Sequence, residues 1–354
     1  MRKSAQWIIG IMISLVALAL AFRGVNVAQM AEAFRSARFV YLIPAIVFIF
    51  VGQLARAVSW KTILGGKISY WRVFAVLNEG YLLNSILPFR LGELGRAYLI
   101  TRNQNLRTSQ ALSSVLVERV IDLCMVLAIF VTVLPQVLGF PWAREAAIVS
   151  GLLTGLAIGT LFGIALLKRA WVLLPFYWIA QRISFAKKFE SQLILFLDGL
   201  EALRDGRRFL TAAIFSLLAW LCAGLTAWCL LFAYLPLPVT VASFQIAQFV
   251  LVISALGVAL PSAPASMGVF EASVVAALSV FAVNGSVAFT YALTFHAVIL
   301  SVTMTLGALA LAREGETLAH LAQAAQALMT ARVADPAGEA APRAVQSPPQ
   351  PSPE

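Results

Sequence analysis

Six charged residues in two short stretches carry most of the chemistry this sequence offers. In Pro88-Phe89-Arg90-Leu91-Gly92-Glu93-Leu94-Gly95-Arg96 the charges Arg90, Glu93 and Arg96 recur every three residues, so a helix would place them on roughly one face. Glu118, Arg119 and Asp122 gather at the start of a later apolar run. A guanidinium presents a planar fork of donors that fits phosphate oxygens. Arg90 and Arg96 therefore suit a lipid phosphate, with Glu93, Glu118 and Asp122 holding them until a headgroup exchanges in. Glu271, after a second polar interruption, is placed to pair across the same cavity. The alternative is a self-satisfied packing network, because Arg90, Arg96 and Arg119 formally balance Glu93, Glu118 and Asp122.

The elements around these charges must be membrane helices. The chain has 354 residues, of which 61% are hydrophobic and 12% charged, and its mean hydropathy is +0.88. A soluble domain carries about 25% charged residues, so lipid is the solvent for much of this chain. A charge near the bilayer centre costs about 2.5 to 3.5 kcal/mol on translocon scales, and a cluster of charges implies partners, water or ligand. The net charge of +10 reflects Lys and Arg gathered in short connections. That is the positive-inside pattern rather than a nucleic-acid footprint. Cys124, Cys222 and Cys229 lie in apolar stretches and read as small core residues. No metal-ligand spacing and no Walker glycine loop is present, so no cofactor is expected.

The expected fold is all-α and polytopic, with six full spans and two re-entrant broken-helix hairpins. The spans are 7–22, 39–58, 113–134, 146–167, 209–234 and 287–311, each close to the ~20 residues a crossing needs. Residues 1–314 form the membrane domain. Residues 170–208 within it read as a cytoplasmic interfacial amphipathic region, which binds anionic headgroups nonspecifically. Residues 315–354 read as an Ala- and Pro-rich cytoplasmic tail, disordered at its end. The basic residues after the start and in the connections place both termini in the cytoplasm.

The two hairpins follow from interrupted apolar runs. Residues 73–87 contain Asn78, Glu79 and Asn84 and stop at Pro88; a complete crossing here would put the basic stretch 102–107 outside, against the charge bias. The block 243–283 is too long for one crossing and is interrupted by Pro261-Ser262-Ala263-Pro264-Ala265-Ser266-Met267-Gly268. Broken backbone at membrane depth leaves N–H and C=O groups unpaired, so such breaks usually line a cavity. Pro88 and Pro264 each precede an x-x-x-Gly-x-apolar spacing in corresponding halves, which suggests an inverted repeat. Half-helix N-termini at Gly92 and Gly268 would turn positive dipole ends toward an anion. Asn84 is expected to satisfy backbone freed at the first break.

Gly151, Gly155, Gly159 and Gly163 form a four-residue repeat suited to close helix contact, within the chain or in a homo-oligomer. His296 reads as a hydrogen-bonded packing residue, with proton carriage as the alternative.

Asn84, Pro88, Arg90, Gly92, Glu93 and Arg96, then Glu118-Arg119 with Asp122, then Pro261, Pro264, Gly268, Val269, Phe270 and Glu271 together resemble the lysylphosphatidylglycerol synthase transmembrane, or flippase-like, domain family of prokaryotes. The likeness spans most of the membrane region. It implies a lipid-translocating module of the cytoplasmic (inner) membrane, without the soluble aminoacyltransferase domain to which the name-giving proteins are fused. The family pattern usually has a glycine pair after the second proline, where Ala265-Ser266 stands here. The expected function is a flippase for an anionic phospholipid or a polyprenyl-linked lipid. The alternatives are a membrane lipid-modifying transferase, with Glu93, Glu118 or Asp122 as base, and an accessory subunit of a separate lipid-synthesis enzyme. An enzyme is the less favoured reading, since no metal cluster or nucleotide site is evident.

Overall fold

The computed structural model describes residues 2–65, 68–87, 91–102, 106, 108–133 and 205–314, with isolated residues between 145 and 194. All regular structure among the described residues is helical. The helices are α1 (Arg2–Phe22), α2 (Val27–Arg35), α3 (Leu42–Leu64), α4 (Tyr70–Ile86), α5 (Leu91–Thr101), α6 (Thr108–Val133), α7 (Gly206–Tyr234), α8 (Val241–Val258), α9 (Val269–Ser279) and α10 (Gly285–Glu314). Short 3-10 turns precede α3 and α9 at Phe39–Tyr41 and Pro264–Ser266.

Local chemistry sets the ends of these helices. Asn26 accepts from the Ala28 and Gln29 amides at the start of α2, Asp205 from the Arg207 amide at the start of α7, and Thr240 from the Ser243 amide at the start of α8. Each side-chain oxygen satisfies a donor that the first helical turn cannot. Gly65, in the left-handed region at φ 65°, ends α3.

Four segments are long and apolar enough to cross a membrane: Phe39–Leu64, Gly206–Tyr234, Val241–Val258 and Gly285–Arg313. A fifth arises if Gly10–Phe22 and Val27–Arg35, bent by 81° at their junction, form one broken span. The expected span at 7–22 falls within α1, whose 21 residues have the length of a crossing. Helix α6 has the length of a span, 26 residues, but carries Glu118, Arg119 and Asp122. At 18 residues, α8 reaches about 27 Å and is by itself long enough to be a crossing, where the sequence suggested the first arm of a re-entrant hairpin. The expected span at 146–167 and the interfacial region at 170–208 lie almost wholly outside the described residues, as does the tail. Of the glycine repeat, Gly159 and Gly163 also lie outside them, and no atom of the described residues stands within 4 Å of where a Cβ would be on Gly151 or Gly155.

Small residues let the central helices meet closely. Helix α3 packs along α7, where a Cβ on Gly52 would touch Cys222 at 3.2 Å. Ser59 Oγ shares a 2.9 Å hydrogen bond with Ser216 Oγ and donates to the Ala212 carbonyl. Membrane helices have no hydrophobic drive toward one another, so close packing and such polar contacts hold them together. Ile43, Ile46, Val47 and Phe50 of α3 are exposed, as a lipid-facing stripe would be.

Candidate functional site

Two helix breaks meet at the centre of the fold. Helices α4 and α5 lie side by side around the first break; Pro88 and Arg90, singled out in the sequence, fall outside the described residues. The pair is so close that a Cβ on Gly92 would collide with the Gly80 carbonyl and stand 2.7 Å from Asn84 Oδ1. Asn84 Oδ1 accepts the Gly92 N–H at 2.8 Å, so it satisfies one of the donors that α5 leaves unpaired at its start.

The second break separates α8 from α9. Pro261 and Pro264 stop the helix, and the backbone then passes through left-handed conformations at Ala265 (φ 56°), Ser266 (φ 57°) and Gly268 (φ 82°). These are the positions where the family pattern usually has glycine, and the geometry explains the preference. Ser14 of α1 braces the turn: its Oγ accepts the Ala263 N–H at 2.9 Å, and its carbonyl lies where a Cβ on Gly268 would have to go. A small cavity of about 150 Å³ lies between Asn84 and Leu87 of the first break and residues 258–263 and 266 of the second.

The charged cluster sits on α3, α5 and α6. Glu118, 1% exposed, accepts from three arginines: Arg96 at 2.7 Å on Oε2, and Arg119 at 2.9 Å and Arg56 at 3.3 Å on Oε1. Asp122 accepts from Arg56 on both oxygens at 2.9 Å, from Arg119 at 3.2 Å and from the Trp220 indole N–H at 2.9 Å. Arg96 also lies over the Trp60 ring, 4.7 Å from its centroid. Glu93 reaches Arg119 at 3.6 Å, the longest of these ion pairs. Among the described residues three guanidinium groups face three carboxylates, so their charges balance, and they are buried but largely paired.

Sequence reasoning missed Arg56 as a member of the cluster. Helix α3 runs on to Leu64, so Arg56 stands two turns inside it and reaches the carboxylates. The signal was present: Gln53, Arg56 and Trp60 follow helical spacing on a face about a quarter-turn from the apolar stripe. Trp220, whose indole orients Asp122, was also missed.

Glu271 differs from the expectation of a partner across the cavity. Its Oε2 accepts the Gly268 N–H at 2.6 Å and its Oε1 meets His296 Nδ1 at 2.6 Å. Helix α10 supplies the partner from the same side, which leaves Glu271 no need to reach an arginine. The N–H groups of Gly92 and Gly268, expected to face an anion, are taken by Asn84 and Glu271. The helix dipole remains, but these two donors are spent inside the protein.

A cavity of about 610 Å³ joins the two regions. Arg56, Glu93, Arg96, Arg119 and Asp122 line one part of it; Ala265, Ser266, Phe270 and His296 line another. Arg119, with 31% of its side chain exposed, is the most accessible member of the cluster. Its size falls in the range of cavities that enclose small-molecule ligands.

Broken helices around a charged cavity, framed by helices long and apolar enough to cross a bilayer, define a polytopic helical membrane protein. The chain matches the family described as the lysylphosphatidylglycerol synthase TM region over residues 7–307 and belongs to that family. This makes it a multi-pass membrane protein of a family linked to lipid metabolism. No curated protein matches the chain at the threshold applied.

Proposed function

We propose that the protein is a lipid translocator, whose cavity carries the headgroup of an anionic phospholipid or polyprenyl-linked lipid past the two helix breaks. The observation that supports this best is the partly exposed Arg119 on the cavity wall: Glu118 and Asp122 fix it at 2.9 and 3.2 Å, while its third carboxylate, Glu93, stands at 3.6 Å where a phosphate can replace it. Glu118 and Asp122 would keep Arg56 and Arg96 in place through the exchange. A transferase would need one of these carboxylates as a base, yet Arg56, Arg96, Arg119 and Trp220 occupy their oxygens.

The arrangement proposed is six spans with two broken hairpins in an inverted repeat, both termini cytoplasmic, in the inner membrane. What supports the repeat is that helix neighbours are preserved when α3–α6 are exchanged for α7–α10. Helix α4 packs on α3, α5 and α10, and α8 packs on α7, α9 and α6. Helix α5 packs on α6 as α9 does on α10, and α3 meets α7 at the centre of the exchange. At 11 residues each, α5 and α9 span about 16 Å, half of a bilayer core.

The test is leaflet exchange of a labelled anionic phospholipid in proteoliposomes, with wild type and Arg119→Ala reconstituted at equal density. Exchange by wild type at least about tenfold above the variant is expected, corresponding to a lost charge-assisted phosphate contact of about 1.4 kcal/mol or more. Wild-type exchange no faster than in empty liposomes, across several lipid classes, would remove this reading.

A further inference from the structure

We propose that His296 is an oxyanion-binding residue of the cavity that takes up one proton together with its ligand, as the protonatable counterpart of Arg119. The inference rests on the reading of the cavity as a headgroup path and adds a coupling ion to it.

The positions of the two residues match. Glu93 is the third residue of α5 and Glu271 the third of α9, while Arg119 is the twelfth of α6 and His296 the twelfth of α10. Glu93 meets Arg119, and Glu271 meets His296. Each half of the fold thus pairs a carboxylate just after its break with a basic residue on the following long helix. Both basic residues line the 610 Å³ cavity.

The chemistry of the two pairs differs. Arg119 keeps its charge at any physiological pH. In the other pair, Glu271 holds Nδ1 of the imidazole, and Nε2 has no hydrogen-bond partner among the described residues. With a neutral ring, Nδ1–H donates to Glu271, Nε2 is an acceptor, and the pair carries a negative charge that repels an anion. One proton added at Nε2 neutralises the pair and turns Nε2 into a donor. An oxyanion and a proton therefore favour each other's binding, and the linkage is reciprocal.

Among the described residues, no other group around His296 substitutes for this change. Helix α9 contributes Glu271 and the Phe270 ring, 4.5 Å from the imidazole. Tyr81 of α4, Arg56 of α3, and the paired ions of α5 and α6 line the same cavity. From α7 and α8, Trp220 and Ser254 bring no titratable group. Helix α2 meets α10 at Ser286, ten residues earlier. Imidazole is the one side-chain type on this wall whose charge ordinarily changes between about pH 5 and 8.

The test is calorimetric titration of the full-length protein in detergent with dihexanoyl phosphatidylglycerol and, separately, inorganic sulfate, both of which stay fully ionised across the pH range used. Two buffers of different ionisation enthalpy read the protons taken up. Wild type is expected to bind about tenfold more tightly near pH 6 than near pH 8, with net proton uptake on binding. His296→Gln should lose both the pH dependence and the uptake. His296→Arg should bind independently of pH without uptake, which guards against a folding defect in the first variant. Linked binding of the lipid alone assigns the site to a headgroup; linked binding of sulfate as well assigns it to oxyanions generally. A pH dependence that survives in His296→Gln, or binding by wild type without proton uptake, would overturn the proposal. Proton-linked binding without leaflet exchange would remove the translocator reading and leave His296 in place. Exchange with the same pH profile in wild type and His296→Gln would do the reverse.

Discussion

The two helix breaks solve one problem with different chemistry. At the first, Asn84 closes the gap and a cluster of three arginines and three carboxylates stands beside it, tied together by Glu118 and Asp122. At the second, the turn is made by three residues with positive φ, braced by Ser14, and a single Glu271–His296 pair stands behind it. A network of permanent charges resists loss of any member, because each removal strands another buried ion. A single pair around a strained turn is cheaper to perturb and easier to switch. This asymmetry fits a scaffold on one wall of the cavity and a responsive element on the other.

The contrast predicts unequal costs. Glu118→Ala should destabilise most, by about 3 to 5 kcal/mol, since Arg96 would be buried without its acceptor. Glu271→Ala should cost less, about 1 to 3 kcal/mol, for a lost hydrogen-bonded pair and cap. Thermal unfolding in detergent compares the two, and equal losses would break the distinction. Gly92→Ala should follow at about 1 to 3 kcal/mol, because its Cβ must displace the Gly80 carbonyl. Asn84→Ala should cost about 1 kcal/mol for the unpaired Gly92 N–H. Smallest and of opposite sign, Ala265→Gly should stabilise by up to about 1 kcal/mol by relieving a left-handed alanine.

Much of this was legible in the sequence, for identifiable reasons. The membrane class follows from composition, and the breaks follow from proline and glycine inside apolar runs, since those residues act through local backbone physics. The family follows from the spacing of charges around those breaks. Arg56 was not legible as a cluster member, because an arginine near the end of an apolar run looks the same whether it points to a headgroup or into the bundle. Only the packing of α3 on α6 decides it. Glu271 was legible as a buried acid but not its partner, since His296 lies 25 residues away on another helix. Counting 243–283 as one interrupted block did not separate out α8, whose 18 residues have the length of a crossing.

The most direct test is to place a plug in the cavity. Ala255 of α8 lines it and is partly exposed, and Cys124, Cys222 and Cys229 are the chain's three cysteines. With those replaced by alanine and Ala255→Cys introduced, leaflet exchange in proteoliposomes is measured before and after complete labelling with a bulky anionic methanethiosulfonate. If the cavity is the headgroup's path, labelling stops exchange while the parent without Ala255→Cys is unaffected; exchange that continues at full rate in the labelled protein would contradict it.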